Sequence, residues 1–152
     1  MPHIHEKVDF TVEVFVVCKN KVLLRLHDKY KIWLSVGGHI ELDEEPNQAA
    51  VREVKEEVGL DITLFRDNTT PVFRDENYQE LVPPKFLNFH SVTPIHRHVT
   101  LVYFARSAHF DVRPEKPDDQ WKWVSVEELD EVGLKPSVKF YAERALKELG
   151  AN

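Results

Sequence analysis

Hydrophobic and polar positions divide the chain into short segments whose spacing predicts strands and helices. Residues 8–18 alternate at first and then become continuously apolar, which is typical of a strand that enters a core. A polar turn at residues 19–21 follows, and residues 22–27 predict the second strand of a hairpin. Residues 28–43 contain a Gly-Gly pair and have no regular period, so we expect an irregular loop there.

The next predicted element is a helix from Pro46 to about Val58. Glu44 and Glu45 precede the early proline, as is common at a helix start, and Gly59 is placed to cap the C-terminus. The apolar side of this helix consists of Ala50, Val51, Val54 and Val58. We expect that side to pack on a sheet.

Beyond residue 59 the pattern predicts four strands, two helices and two loops. The strands are residues 60–66, 85–92, 99–106 and 120–124. The helices are residues 126–131 and 137–149, and the loops are residues 67–84 and 111–119. Because strands and helices interleave without regular alternation or internal repeat, we expect one mixed α/β domain over residues 1–152.

Composition narrows the class of protein. A chain of 152 residues with 42% hydrophobic and 30% charged residues is typical of a globular domain with its own core. The net charge of −6 argues against a nucleic-acid or membrane-surface partner. Cys18 is the only cysteine, and no apolar run reaches the roughly 20 residues that cross a bilayer. Since the N-terminus also lacks the apolar core of a signal peptide, we expect a cytoplasmic protein.

Three glutamates, Glu53, Glu56 and Glu57, fall within an arc of about 100° on the predicted helix. Like charges at these spacings repel by roughly 0.2–0.5 kcal/mol per pair. Either the glutamates are solvated, with Arg52 and Glu56 as a favourable pair, or they face a cation. Mg²⁺ prefers oxygen ligands and is commonly held by one or two carboxylates together with substrate phosphates.

The residues upstream of these glutamates favour the interpretation that the glutamates bind a cation. The chain resembles the complete signature of the Nudix hydrolases, here called the Nudix box (residues 38–60), at Gly38, Glu44, Arg52, Glu53, Glu56, Glu57 and Gly59, with apolar Val54 and Leu60. Trp33 and the segment 123–129 are also similar to family members. Val36 stands where the family often has a proline, which bears on the shape of the loop and on the substrate. The resemblance implies an α/β/α sandwich with a mixed central β-sheet.

The resemblance also implies an activity, which is attack of water on the P–O–P bridge of a nucleoside diphosphate derivative. The cofactor would be Mg²⁺ or Mn²⁺, and a homodimer is common in the family. The implied metal ligands are Glu53, Glu56, Glu57 and Gly38, and the implied catalytic residues are Glu53, Glu57, Arg52 and Glu44. In these roles Glu53 also accepts a proton from water, Arg52 holds the carboxylates, and Glu44 braces the loop or pairs with Arg52.

The alternative function is a Nudix-fold module that senses a nucleotide without cleaving it. Such modules typically lack one or more glutamates of the Nudix box, whereas this chain retains all of them. The proton acceptor stays open between Glu53 and an acidic loop residue. The loop candidates are Glu76, Glu80, Glu115, Asp118 and Asp119.

Residues outside the box suggest the substrate contacts. The candidates are Arg25, Lys85, Phe86, Tyr78 and His98, which offer cations, aromatic rings and a hydrogen-bonding imidazole. His96 and His98 lie two residues apart on a predicted strand, so a zinc site is conceivable. Because neither a partner cysteine nor a tight HxxxH spacing accompanies them, we favour hydrogen-bonded histidines at a sheet end or substrate contacts. His3 and His5 receive no role.

Overall fold

The structure is a computed structural model that describes residues 4–69 and 71–150. It contains eight strands in one mixed sheet and three helices, of which the two long ones lie on opposite faces of the sheet. The strands are β1 (Val8–Cys18), β2 (Lys21–Leu26), β3 (Trp33–Leu34), β4 (Val36–His39), β5 (Ile62–Leu64), β6 (Phe86–Thr93), β7 (His96–Ser107) and β8 (Trp121–Val124). The helices are α1 (Pro46–Val58), α2 (Leu129–Val132) and α3 (Pro136–Leu149).

Strand β1 organises the sheet because it pairs with three other strands. It runs parallel to β7 and antiparallel to β2 and β4, and β4 covers the residues from Thr11 to Val14. The main strand order is β3-β2-β1-β7-β5, with β4 on β1, β6 on β7 and β8 on β2. The expected mixed central sheet is therefore confirmed, and so is the predicted β1–β2 hairpin.

Alternation along β1 divides the buried residues into two cores. Phe15 and Val17 point to one face, where α3 packs with residues such as Ala142. Val14 and Val16 point to the other face, which α1 covers. The sandwich predicted from the family resemblance is confirmed by these two layers, and the Nudix box lies on the α1 side.

Helix α1 begins and ends at the predicted residues because both of its ends are capped locally. The Glu45 carboxylate accepts hydrogen bonds from the N–H groups of Asn47 and Gln48, and the Gln48 side chain accepts one from the Glu45 N–H. Gly59 adopts a φ of 69° and donates its N–H to the Lys55 carbonyl, 3.0 Å away. Such caps depend on adjacent residues alone, so the sequence predicts them well.

The buried side of α1 differs from the prediction. Val51 is 41% exposed, whereas Ala49 and Glu53 are buried together with Ala50 and Val54. The predicted apolar side was therefore wrong by one position. It was wrong because Glu53 packs inward against β4, which a count of apolar residues could not reveal.

The irregular loop predicted over residues 28–43 was also wrong in part, since β3 and β4 lie within it. Gly37 and Gly38 belong to β4, and neither has a positive φ. Glycine is needed at both positions because a larger residue would not fit. A Cβ on Gly37 would overlap the Val12 carbonyl of β1, and a Cβ on Gly38 would overlap the Glu53 carboxyl group. The glycines therefore let β4 pass between its neighbour strand and a buried glutamate.

The remaining elements differ from the prediction mainly in their bounds. The strand predicted over residues 60–66 is shorter as β5, the one predicted over 99–106 is longer as β7, and α2 lies nearer the C-terminus than residues 126–131. The two predicted loops hold no named strand or helix, although residues 74 and 79 form an isolated bridge. Within the described residues, no helix is long and apolar enough to cross a membrane.

Substituting Gly37 by alanine tests the packing of β4. Because the added Cβ would press on the Val12 carbonyl of the neighbouring strand, Gly37→Ala should lower the free energy of unfolding by about 3 kcal/mol. Gly133→Ala is the control, since no atom lies within 4 Å of the added Cβ there and only its φ of 77° is unfavourable. We expect about 1 kcal/mol at that site. Urea denaturation measures both, and equal losses would contradict the packing argument.

Candidate active site

The three glutamates of α1 have different environments. The side chain of Glu53 is 5% exposed and that of Glu57 is 14% exposed, whereas that of Glu56 is 54% exposed. Glu53 lies against Gly38, where the missing side chain leaves room for its carboxyl group. Two carboxyl groups are thus enclosed between the helix and the rest of the protein, and the third lies at the rim.

The guanidinium of Arg52 connects these glutamates to the strand and loop before the helix. It forms two hydrogen bonds to the Glu44 carboxylate, of 2.9 Å from Nε and 2.6 Å from Nη2. Nη1 donates to Glu53 at 3.0 Å and to Glu56 at 3.1 Å, and Nη2 donates to the His39 carbonyl at 2.9 Å. These charge-assisted bonds hold the pKa of Glu44 below its usual range and raise that of Arg52.

Burial changes the protonation of the two enclosed carboxyl groups. The pKa of Glu57 is raised to about 8, mainly by burial and also by the nearby carboxylates of Glu53 and Glu115, against the opposing effect of Arg25. Burial also raises the pKa of Glu53, against the effect of Arg52. Two buried acids in contact are costly when both are charged. A cation between them would remove that cost.

Arg25 of β2 completes the rim on the Glu57 side. Its Nη1 is 3.9 Å from Glu57 Oε2, and its Nη2 is 3.4 Å from Asp119 Oδ1 and 3.6 Å from Asp28 Oδ2. The guanidinium also lies over the ring of Trp121, 5.7 Å from its centre. The ring and the carboxylates therefore hold the Arg25 guanidinium beside Glu57.

The loop over residues 111–119 closes the C-terminal end of α1. The N–H of Glu115 donates to the Glu57 carbonyl at 3.0 Å, and the N–H of Arg113 donates to the Val58 carbonyl at 2.8 Å. Of the five acidic loop residues considered as proton acceptors, this brings Glu115 and Asp119 to the Nudix box. Glu80 lies elsewhere, where its N–H donates to the Phe73 carbonyl. Glu76 and Asp118 are exposed.

The donor set of the box fits a divalent cation that prefers oxygen ligands. Glu53 and Glu57 offer buried carboxylates of raised pKa, and Glu56 is next to them on the same helix. In the structure Glu56 is turned toward Arg52. The three predicted ligands therefore share one end of the helix, with two carboxyl groups inside and one held at the rim.

The other predicted substrate contacts lie away from the box. Lys85 forms an ion pair of 2.7 Å with Glu148 of α3, and Phe86 packs on Phe104 and Tyr141 in the core on the α3 side. Tyr78 is 57% exposed in the loop over residues 67–84. Arg25 is thus the predicted substrate-binding residue that contacts a glutamate of the box.

His98 belongs to a second cluster whose other two members, Asp9 and His39, sequence reasoning did not find. Its ligand atoms and those of Asp9 and His39 all lie within 4.8 Å of one another. The pKa of His98 is lowered to about 4, mainly by burial and also by the neighbouring His39, His90 and His96. A neutral imidazole beside a buried carboxylate can bind a metal. His3, the other N-terminal histidine besides His5, lies outside the described residues.

Comparisons with known proteins bear on the family and the fold. A profile of the NUDIX domain matches residues 9–147. The chain is 38% identical to a NUDIX-family hydrolase from Clostridium perfringens whose crystal structure superposes with a TM-score of 0.81 over 93% of this chain and 97% of that one. The fold is also similar to that of the Escherichia coli dihydroneopterin triphosphate pyrophosphohydrolase, with a TM-score of 0.63, 17% identity, and 93% and 97% of the two chains covered.

A curated relative matches a shorter region. The dihydroneopterin triphosphate diphosphatase of Haemophilus influenzae is 43% identical over 63 residues, which is 41% of this chain and 38% of that protein. The match therefore spans well under half of the relative's length.

The raised pKa of Glu57 predicts how stability depends on pH without metal. Between its ordinary range and a pKa of about 8, the folded state binds more protons at Glu57 than the unfolded state does, so this group destabilises the fold as the pH rises. Glu57→Gln cannot ionise. Its free energy of unfolding should be within about 1 kcal/mol of that of the wild type near pH 5 and exceed it by about 4 kcal/mol near pH 8.

Urea denaturation in EDTA at both pH values measures this difference. Glu127→Gln, which removes a carboxylate from an exposed position, is the control for the change in net charge. If Glu57→Gln were no more stable than Glu127→Gln at the higher pH, the argument that Glu57 is buried at a cost would be wrong.

Proposed function

The chain belongs to the Nudix hydrolase family, and on that premise we propose that it is a divalent-metal-dependent pyrophosphohydrolase. The observation that supports this most is the enclosed pair Glu53 and Glu57, whose pKa values are raised by burial. A helix that only faced solvent would have no need to bury two acids in contact. Perturbed carboxyl groups of this kind cluster at functional sites.

We propose Glu53, Glu56 and Glu57 as the ligands of the cation, with the Gly38 carbonyl as a further oxygen. Mg²⁺ or Mn²⁺, when bound, would offset the charge of a pyrophosphate and lower the pKa of a water molecule. Arg52 holds Glu53 and Glu56 in position from the protein side, and Glu44 fixes Arg52 in turn. These hydrogen bonds keep the ligands in place before substrate arrives.

In the proposed reaction the oxygen of water bonds to phosphorus while the bridging P–O bond breaks. The bond electrons go to the leaving phosphate oxygen, and the water proton goes to a carboxylate. We propose Glu53 as that acceptor because its raised pKa makes it a stronger base than an exposed glutamate. Arg25 would contact the phosphates from the opposite side of Glu57.

The substrate is proposed at the level of a class, a nucleoside diphosphate derivative or a similar small molecule with a P–O–P bridge. The relatives named for dihydroneopterin triphosphate make that triphosphate one compound to test. We propose a cytoplasmic location, because Cys18 is the only cysteine of the sequence and no disulfide within the chain is possible. Homodimerisation stays a prediction from the family.

A turnover assay tests the proposed function directly. We expect cleavage of one class in a panel of nucleoside triphosphates, dinucleoside polyphosphates, nucleotide sugars and dihydroneopterin triphosphate. It should need Mg²⁺ or Mn²⁺ and stop in EDTA. Glu57→Gln should lower kcat by at least about 100-fold because it removes one charge from the metal site at constant volume.

Glu127→Gln is the matched control and should retain wild-type turnover. Wild-type activity in Glu57→Gln would contradict the assignment of the site. A wild-type protein that binds members of the panel without cleaving them would favour the nucleotide-sensing alternative instead.

Arg25→Gln tests the phosphate contact. Measured at saturating Mg²⁺, it should raise KM about tenfold or more because a charge-assisted contact to the substrate is lost. Lys139→Gln removes a cation that pairs with Asp130 at the far side of α3 and should leave KM unchanged. Equal KM values for the two variants would mean that Arg25 serves only to hold Asp119.

A further inference from the structure

A second group of metal-ligating side chains lies on the sheet face opposite α1. Asp9 of β1 is directly opposite His98 of β7, and His39 of β4 is opposite Thr11 of β1. Asp9 and His98 have the same parity as the residues that face α3, so they point away from α1. Three strands thus bring one carboxylate and two imidazoles to one point, with ligand atoms all within 4.8 Å.

The Asp9 carboxylate is the centre of this group. It is fully buried, and its Oδ2 is 3.1 Å from Nε2 of His39 and 3.2 Å from Nε2 of His96. The same carboxylate accepts the N–H of His5 at 2.6 Å and that of Ile4 at 3.3 Å, which fix its orientation. Metal-binding side chains are typically oriented by such outer hydrogen bonds.

His96 adds a third imidazole to this cluster. Its Nδ1 is 3.0 Å from the Glu6 carbonyl, and its Nε2 is 3.2 Å from Oδ2 of Asp9. His39 and His96 therefore both contact the same carboxylate oxygen.

We propose that Asp9, His39 and His98 form a second metal site that binds Zn²⁺, separate from the carboxylates of the Nudix box. Two imidazole nitrogens and one carboxylate oxygen are ligands that zinc prefers, whereas Mg²⁺ takes oxygen ligands only. Three protein ligands leave a fourth tetrahedral position, which His96 or a water molecule can occupy. His39 and Asp9 are buried and His98 is partly exposed, so an ion enters from the His98 side.

Strand β4 separates the two sites. Gly38 faces Glu53 on the α1 side, and the next residue, His39, points to the opposite side. The His39 carbonyl accepts a hydrogen bond from Arg52, so the same residue touches both systems. Zinc would join β1, β4 and β7 at the back of the strand that packs on Glu53. Its role would be to stabilise the sheet there, since metal binding free energy adds to folding free energy.

Cobalt substitution tests this proposal independently of enzymatic activity. Co²⁺ added to the metal-free protein in excess Mg²⁺ should give one equivalent of bound ion, with the visible absorption of tetrahedral cobalt, and Zn²⁺ should displace it. Glu57→Gln should keep this absorption because it alters only the box. His98→Gln should weaken Co²⁺ binding by about 100-fold or more, because it removes one of three protein ligands.

His109→Gln, at an exposed histidine outside the cluster, is the matched control and should bind like the wild type. The thermal midpoint of the wild type should rise on addition of Zn²⁺ in excess Mg²⁺, which serves as a second readout if His98→Gln does not fold. Wild-type protein without tetrahedral cobalt absorption and without a Zn²⁺-dependent shift would overturn the proposal. Loss of the absorption in Glu57→Gln, with His98→Gln unaffected, would assign the ion to the box instead.

Discussion

The guanidinium of Arg52 is the interaction on which the site depends. Its hydrogen bonds join Glu44 before the helix, Glu53 and Glu56 on the helix, and the His39 carbonyl of β4. An always-charged, planar group with five donors is suited to this, because each bond fixes both a distance and a direction. Without it, like charges at adjacent turns of α1 would repel, and neither loop nor strand would be held against the helix.

Most of the fold could be predicted from the sequence wherever the decisive contacts are local. The ends of α1 were predicted correctly because a capping residue and a C-terminal glycine act within a few positions of each other. Strand β4 was missed because Gly37 and Gly38 are explained by Val12 and Glu53, which are distant in the chain. Pairing between distant segments determines such strands, and a local period contains no information about it.

The same distinction applies to the site. The glutamates of α1 could be predicted because helical spacing alone places them together. Lys85 and Phe86 have the chemistry of substrate contacts, yet Lys85, just before β6, pairs with Glu148, and Phe86, the first residue of β6, packs in the α3 core. The complete cluster around Asp9 could not be predicted, because its members lie far apart in the sequence. Its members have no common motif, and they meet only because β1 pairs with both β4 and β7.

The two faces of β4 pack against different groups, and this limits how the strand can change during evolution. The residue that faces Glu53 must be a glycine, because a Cβ there would overlap the carboxyl group, and the next residue must point away from the helix. Because side chains alternate with a period of two, an insertion or deletion of one residue within β4 would exchange its faces and place an imidazole where the glutamate lies. Length variation should therefore accumulate in the neighbouring loops, while β4 itself keeps its register in any descendant that remains active.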